Sequence, residues 1–196
     1  MKTIGSTIIM LALASSLFAD NGKELKLASP DGTHEIVFYQ KQVSPAVNEL
    51  CYRVDYKSQP VVNESRAGLE LDNRIWEMAL GVRNLKQPAC WMDNLEVDSV
   101  TYQPETNLTW QPLYGERSSV RDHYRAGTLC LSKKDNSGYR LNIEVRAYNE
   151  GVAFRYFFPE HPKAIFHKVV GDLTEYALPA GTKHGLNNGH RLSSNA

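Results

Sequence analysis

The sequence predicts an all-β, antiparallel fold of the sandwich type, and three observations carry that prediction. Apolar residues recur with a period of two. The clearest case runs from Tyr139 to Tyr148, where Tyr139, Leu141, Ile143, Val145 and Ala147 alternate with Arg140, Asn142, Glu144 and Arg146. Such alternation marks a half-buried strand. Turn signals built on Gly, Pro, Asn and Asp separate the candidate strands at irregular but recurring intervals, as in sandwiches and barrels. No long segment shows the 3.6-residue periodicity of an amphipathic helix, and Trp76 to Leu80 is at most a short turn.

Taken in order, the chain opens with a segment of another kind. Lys2 is the only charge before Asp20, Ile8 to Leu13 is a short apolar run, and Ala14, Ser15, Ser16 and Ala19 are small. This order is that of a secretory signal peptide over residues 1–19, and the run is far shorter than the ~20 apolar residues of a membrane span. Cleavage fits after Ala19 or after Ser16. No Cys follows either site, so a lipid anchor is not indicated, and periplasmic or secreted localisation is expected. Removing nineteen residues leaves 21 basic against 22 acidic side chains, a charge of −1.

The turn Ser29-Pro30-Asp31-Gly32 precedes a strand over Thr33–Tyr39, and Leu50–Tyr56 alternates again, ending near Pro60. Ala67–Leu71, Leu95–Tyr102, Val120–Leu131 and Ile165–Val170 are further strand candidates. After Tyr148, Asn149-Glu150-Gly151 reads as a three-residue hairpin loop closed by glycine, with Val152–Phe158 as the return strand, stopped by Pro159. That register sets Arg155 beside Val145 on the apolar face, so either a bulge shifts it or Arg155 is buried with a partner. Pro179-Ala180-Gly181-Thr182 ends the β pattern. Residues 184–196 are rich in Gly, Asn and Ser, and such a composition predicts a polar, disordered tail.

Composition narrows the functional classes. The 196 residues carry 22 Lys+Arg and 22 Asp+Glu, which argues against nucleic acid as a partner, because those surfaces are usually basic. A mean hydropathy of −0.42 argues against an integral membrane protein. Six Phe, ten Tyr and three Trp are enough to anchor a core. Three cysteines, Cys51, Cys90 and Cys130, cannot all pair within one chain, and their apolar neighbours suit buried small hydrophobes. No CxxC is present, and the six His show neither HxxxH nor HxH spacing, so no metal site is expected. Asn63-Glu64-Ser65 and Asn107-Leu108-Thr109 match the glycosylation pattern, which is without meaning in a bacterial host.

Two stretches carry a family resemblance. The first is Trp110-Gln111-Pro112-Leu113-Tyr114-Gly115-Glu116, followed by Val120-Arg121-Asp122-His123-Tyr124. The second runs from Arg146-Ala147-Tyr148-Asn149-Glu150-Gly151 to Phe154-Arg155-Tyr156, closing with Phe158-Pro159. With Ser29-Pro30-Asp31-Gly32 they resemble the N-terminal domain of glycoside hydrolase family 97, over about residues 24–183. The family includes secreted and periplasmic α-glucosidases and α-galactosidases. The resemblance implies a galactose-mutarotase-like β-super-sandwich, here incomplete at its C-terminal end, spanning residues 20–183. In full-length members a (β/α)8 barrel follows and carries the catalytic carboxyl groups. Relatives differ at some positions, with Asn at that of Asp122 and an Asn-Glu pair at that of Arg125-Ala126. The glutamate that the domain lends to a calcium site in full-length relatives has no counterpart here. The resemblance therefore implies no catalytic residue, no metal ligand and no cofactor for this chain.

What remains is binding. Glycoside hydrolysis needs two carboxyl groups flanking one bond, and Glu116 and Asp122, six residues apart, do not make such a pair by sequence. Flat aromatic faces such as those of Trp110 and Tyr114, on either side of Pro112, suit the C–H faces of sugar rings. Glu116, Arg121 and His123 are expected to form a polar cluster beside them, with Tyr124 completing a carbohydrate site. The expected partner is an α-glucoside or α-galactoside oligosaccharide, with neither nucleic acid nor membrane. The leading reading is the non-catalytic N-terminal domain of a family 97 enzyme. A stand-alone secreted carbohydrate-binding module and a sugar epimerase are the alternatives.

Overall fold

The computed structural model describes residues 23–71, 92–133, 138–160 and 167–182. The signal peptide, the turn at Trp76–Leu80, Cys90, Trp91 and the polar tail lie outside the described residues. Every described element is a strand. In chain order they are β1 (Glu24–Ala28), β2 (His34–Ser44), β3 (Val47–Tyr56), β4 (Gln59–Arg66), β5 (Leu69–Leu71), β6 (Glu96–Trp110), β7 (Val120–Ser132), β8 (Arg140–Tyr148), β9 (Gly151–Phe157) and β10 (Val169–Asp172). They form two antiparallel four-stranded meanders, β1-β2-β3-β4 and β6-β7-β8-β9, and a small β5-β10 pair.

The two meanders face each other because alternate residues on each are apolar. Leu25, Ile36, Phe38, Leu50 and Tyr52 of the first sheet and Leu129, Leu131, Leu141, Ile143 and Val145 of the second are all at most 2% exposed. They belong to one cluster. Aromatic rings lock the layers together: Phe154 of β9 stands edge-on to Phe38 at 5.1 Å and tilts against Tyr52 at 5.3 Å. β1 crosses so close to β7 that a side chain at Gly127 would meet Leu25 Cδ1 at 3.2 Å and Tyr102 Cδ1 at 3.3 Å.

The β8–β9 hairpin corrects one expectation. Tyr148 pairs directly with Gly151, so the loop has two residues, Asn149 and Glu150, and the register moves by one. Phe154 then opposes Val145 inside, and Arg155 opposes Glu144 outside. The dilemma over Arg155 disappears without a bulge and without a buried charge. Two strands, β1 and β4, go beyond the sequence reading. The turn between β3 and β4 is Lys57-Ser58, with φ of 49° and 62°. Pro60 lies inside β4, opposite Asp55, and is tolerated because β4 is an edge strand.

After β10 the chain runs on as a strap along the β4–β5 side. Leu173 N donates to Gly68 O (3.0 Å), Glu175 N to Arg66 O (2.8 Å), and Asn63 N to Ala177 O (2.8 Å). Tyr52 Oη donates to Glu175 O at 2.7 Å, and the hydroxyls of Tyr156 and Thr174 share a 2.5 Å bond. The strap therefore ties β3 to β9. Among the described residues the sandwich still stays open on this side. A groove of about 1300 Å³ separates the β2–β4 region from β9, with Tyr52, Val62, Phe154, Tyr156 and Tyr176 among its lining residues.

Candidate functional site

β6 is 15 residues long and β7 is 13, but β8 stops at Tyr148, opposite Tyr124. Beyond that row, among the described residues, only β6 and β7 remain paired, out to Trp110 opposite Val120. The result is a two-stranded arm projecting past the sandwich, capped by the 111–119 loop. Side chains alternate between its faces, and this divides the six residues that the sequence groups together.

On the face continuous with the core lie Arg121 and His123. His123 Nε2 is 2.7 Å from Glu105 Oε1, and Arg125 Nε donates to Glu105 Oε2 at 3.0 Å. Arg121 Nε donates to Asn107 Oδ1 at 2.9 Å, and Arg125 Nη2 reaches Pro30 O at 3.4 Å. The His123 and Arg125 bonds hold the Glu105 carboxyl below its ordinary range. His123 Nδ1 is buried and makes no hydrogen bond among the described residues.

On the opposite face lie Trp110, 53% exposed, and Leu108, 63% exposed, with Tyr124 further down the same face. The Tyr124 ring is 5.2 Å from that of Tyr148 and carries the Arg146 guanidinium at 4.5 Å. Tyr114 and Glu116 belong to neither group. Tyr114 is 89% exposed and its neighbour Leu113 wholly so, on the loop at the tip. The expected cluster of Glu116 with Arg121 and His123 does not form, because Glu116 sits on the cap while the other two point off β7. Glu105 and Asn107 take the partner role instead. Neither stands out by periodicity, because this stretch of their strand is polar on both faces.

Among the described residues the carboxylates whose titration is perturbed are all shifted downward. Hydrogen bonds from Ser29 and Thr33 hold Asp31 at about 2, and Lys41 followed by Tyr39 lowers Glu64. A general acid for glycoside cleavage needs a carboxyl pushed upward. Calcium, implied in full-length relatives, takes six to eight oxygen ligands. Among the described residues no group of three or more His, Cys, Asp or Glu could hold a metal ion. No helix among the described residues is long and apolar enough to cross a membrane.

Comparison with known proteins agrees with this architecture. The family model described as glycosyl-hydrolase 97 N-terminal matches residues 27–195. A retaining α-galactosidase of Bacteroides thetaiotaomicron is 26% identical over 174 residues, 89% of this chain and 22% of its own length. A family 97 enzyme from a Pseudoalteromonas species, solved with panose and with acarbose, superposes with a TM-score of 0.63 at 26% identity. It covers 80% of this chain and 20% of that one. A β-arabinopyranosidase shares the fold at 17% identity, with a TM-score of 0.62. The chain thus spans about a fifth of the length of the relatives it matches. With the sandwich in place and most of the sequence matched, the chain belongs to the glycoside hydrolase family 97 N-terminal domain family.

Proposed function

We propose that this chain is the carbohydrate-binding N-terminal β-sandwich of an exported family 97 glycoside hydrolase, without catalytic activity of its own. Its ligand is a neutral α-linked oligosaccharide of the glucoside or galactoside type. The observation that carries the reading is the arm. It holds Trp110 and Tyr114 in solvent, with donors and acceptors fixed at its root by Glu105, Asn107, Arg121 and His123. Trp110 supplies a stacking surface on one face of the arm, and the polar groups supply hydrogen-bonding partners on the other, so a ligand can engage either face. Oligosaccharides bound to a structural relative support the same ligand class. The lowered carboxylates support a binding role rather than acid catalysis. Export rests on the signal-peptide pattern of residues 1–19.

Titration with panose, followed by tryptophan fluorescence and calorimetry, tests the reading. Binding is expected, and Trp110→Ala is expected to weaken it by about tenfold, the loss of one stacking contact worth ~1.5 kcal/mol. The pure chain is expected to leave aryl α-glucosides and aryl α-galactosides intact. Hydrolysis abolished by Glu116→Gln would overturn the non-catalytic part, and silence toward every neutral oligosaccharide tried would overturn the binding part.

A further inference from the structure

The outer face of the second sheet carries a small hollow away from the arm, and we infer that it is a subsite for one pyranose ring of a neutral oligosaccharide. The hollow holds about 270 Å³ and is lined by Glu144, Arg146, Tyr148, Ala153, Phe154 and Arg155. It exists because of a size pattern. On this face of β8 and β9, Arg146 pairs across the strands with Ala153, and Glu144 with Arg155. The short side chain of Ala153 leaves a floor between three long polar neighbours.

The polar groups around that floor are pre-set. Arg155 Nε and Nη2 both reach one carboxylate oxygen of Glu144, Oε2, at 2.7 and 2.6 Å. Oε1 of Glu144 and Nη1 of Arg155 have no hydrogen-bond partner among the described residues. The Arg146 guanidinium carbon lies over the Tyr124 ring, 4.5 Å from its centroid, and its Nη1 donates to Tyr148 Oη at 3.4 Å. These two contacts hold the guanidinium at the edge of the hollow. The rim thus offers a carboxylate acceptor, two guanidinium donors and a phenol hydroxyl around a space of one-ring size. Adjacent hydroxyls of a sugar need this mixture of donors and acceptors.

Charge selects among hydroxyl-rich ligands. Glu144 and Arg155 neutralise each other, which leaves Arg146 as the single surplus cation of the lining. One cation is a weak attraction for phosphate or a polyanion, whose recognition relies on several, while the mixed donors and acceptors of the rim suit a neutral sugar. Trp110 and Tyr124 share this face, so a chain lying along it could touch both the hollow and the aromatic surface of the arm. The inference rests on the carbohydrate reading above but assigns different residues.

The test is panose binding to the whole chain, by calorimetry and by methyl NMR of Ala153. Two substitutions act on the hollow alone. Ala153→Leu fills the floor, and Glu144→Gln removes the acceptor charge with its shape retained. Each is expected to weaken panose binding by about tenfold, the loss of one charge-assisted hydrogen bond or its equivalent, with an unchanged melting curve. The Ala153 methyl signal is expected to shift on titration. If the unmodified chain binds panose and Trp110→Ala weakens it, but both hollow variants bind as well as the original, the subsite is wrong and the carbohydrate reading stands. If the unmodified chain binds no panose, both fall. Displacement of panose by millimolar inorganic phosphate would overturn the neutral-ligand assignment.

Discussion

Single residues decide which side of the molecule does what, and here the sequence was only partly legible. The aromatic and basic residues of the first motif were visible as candidates, but spacing alone could not show that Arg121 and His123 share one face of the arm while Trp110 and Tyr124 share the other. Pairing with β6 sets that division, and a strand polar on both faces gives no period from which to read it. Asp31 was visible only as part of a turn. Its Oδ1 accepts from Ser29 Oγ at 2.6 Å, Thr33 N at 3.0 Å and Thr33 Oγ1 at 2.9 Å, and its folded value falls to about 2 from an ordinary 3.8. Because the folded value is the lower one, this stabilisation is complete above about pH 4 and disappears as pH falls toward 2. Carboxyl NMR should place the Asp31 midpoint near 2, and Asp31→Ala should flatten the fall in melting temperature over that interval. A midpoint near 3.8 would refute it. Cys51 was expected to be a buried small hydrophobe, and it is 4% exposed. Burial, reinforced by Glu64 and Glu49, pushes its thiol up to about 11. Reaction with a thiol reagent at neutral pH should therefore be slow until the protein is unfolded.

At the scale of elements, alternation was a sound guide wherever one face is buried. β8 shows it most cleanly, with Leu141, Ile143, Val145 and Ala147 all at 0% exposure. Ile143→Ala should cost about 2–5 kcal/mol in denaturant unfolding, and a loss under 1 kcal/mol would mean that the core collapses around the gap. The turns were less legible. The glycine of Asn149-Glu150-Gly151 suggested a three-residue loop, yet the two-residue alternative keeps Arg155 in water, and the energy of burying an unpaired charge decides the register. The Lys57-Ser58 turn carries no Gly or Asn, so nothing local announced it, although both residues have positive φ. That backbone suits a two-residue hairpin but strains residues with a Cβ. Replacing the pair, Lys57→Asn with Ser58→Gly, should stabilise the protein by about 1 kcal/mol, and no gain in unfolding midpoint would show that the strain is relieved elsewhere. Gly127 works in the opposite sense. Gly127→Val should destabilise, because β1 and Tyr102 already occupy the space that its side chain needs.

Among the described residues the sandwich is closed on one side and open on the other, an asymmetry that follows from its strand order. β1 packs on β6, β7 and β8 at the closed side. At the open side β4 and β9 are the last strands of their sheets, and among the described residues the strap bridges them. Val61, Val169 and Tyr176 are each between 44% and 64% exposed there, lining a groove whose floor continues the core. Alternation along each strand predicted both sheets, but it carries no information about how two sheet edges meet, so the groove was legible only through the expectation of a sandwich incomplete at its C-terminal end. An edge strand with unpaired backbone groups next to an apolar surface invites association. The purified protein should therefore bind a hydrophobic dye and self-associate as its concentration rises, by light scattering and sedimentation. Val61→Lys places a charge on the rim outside the buried cluster, so it should reduce association while leaving the unfolding free energy within about 0.5 kcal/mol. If the unmodified protein instead stays monomeric, excludes the dye and melts cooperatively at high temperature, the strap already seals the open side, and the exposed rim contributes nothing to association.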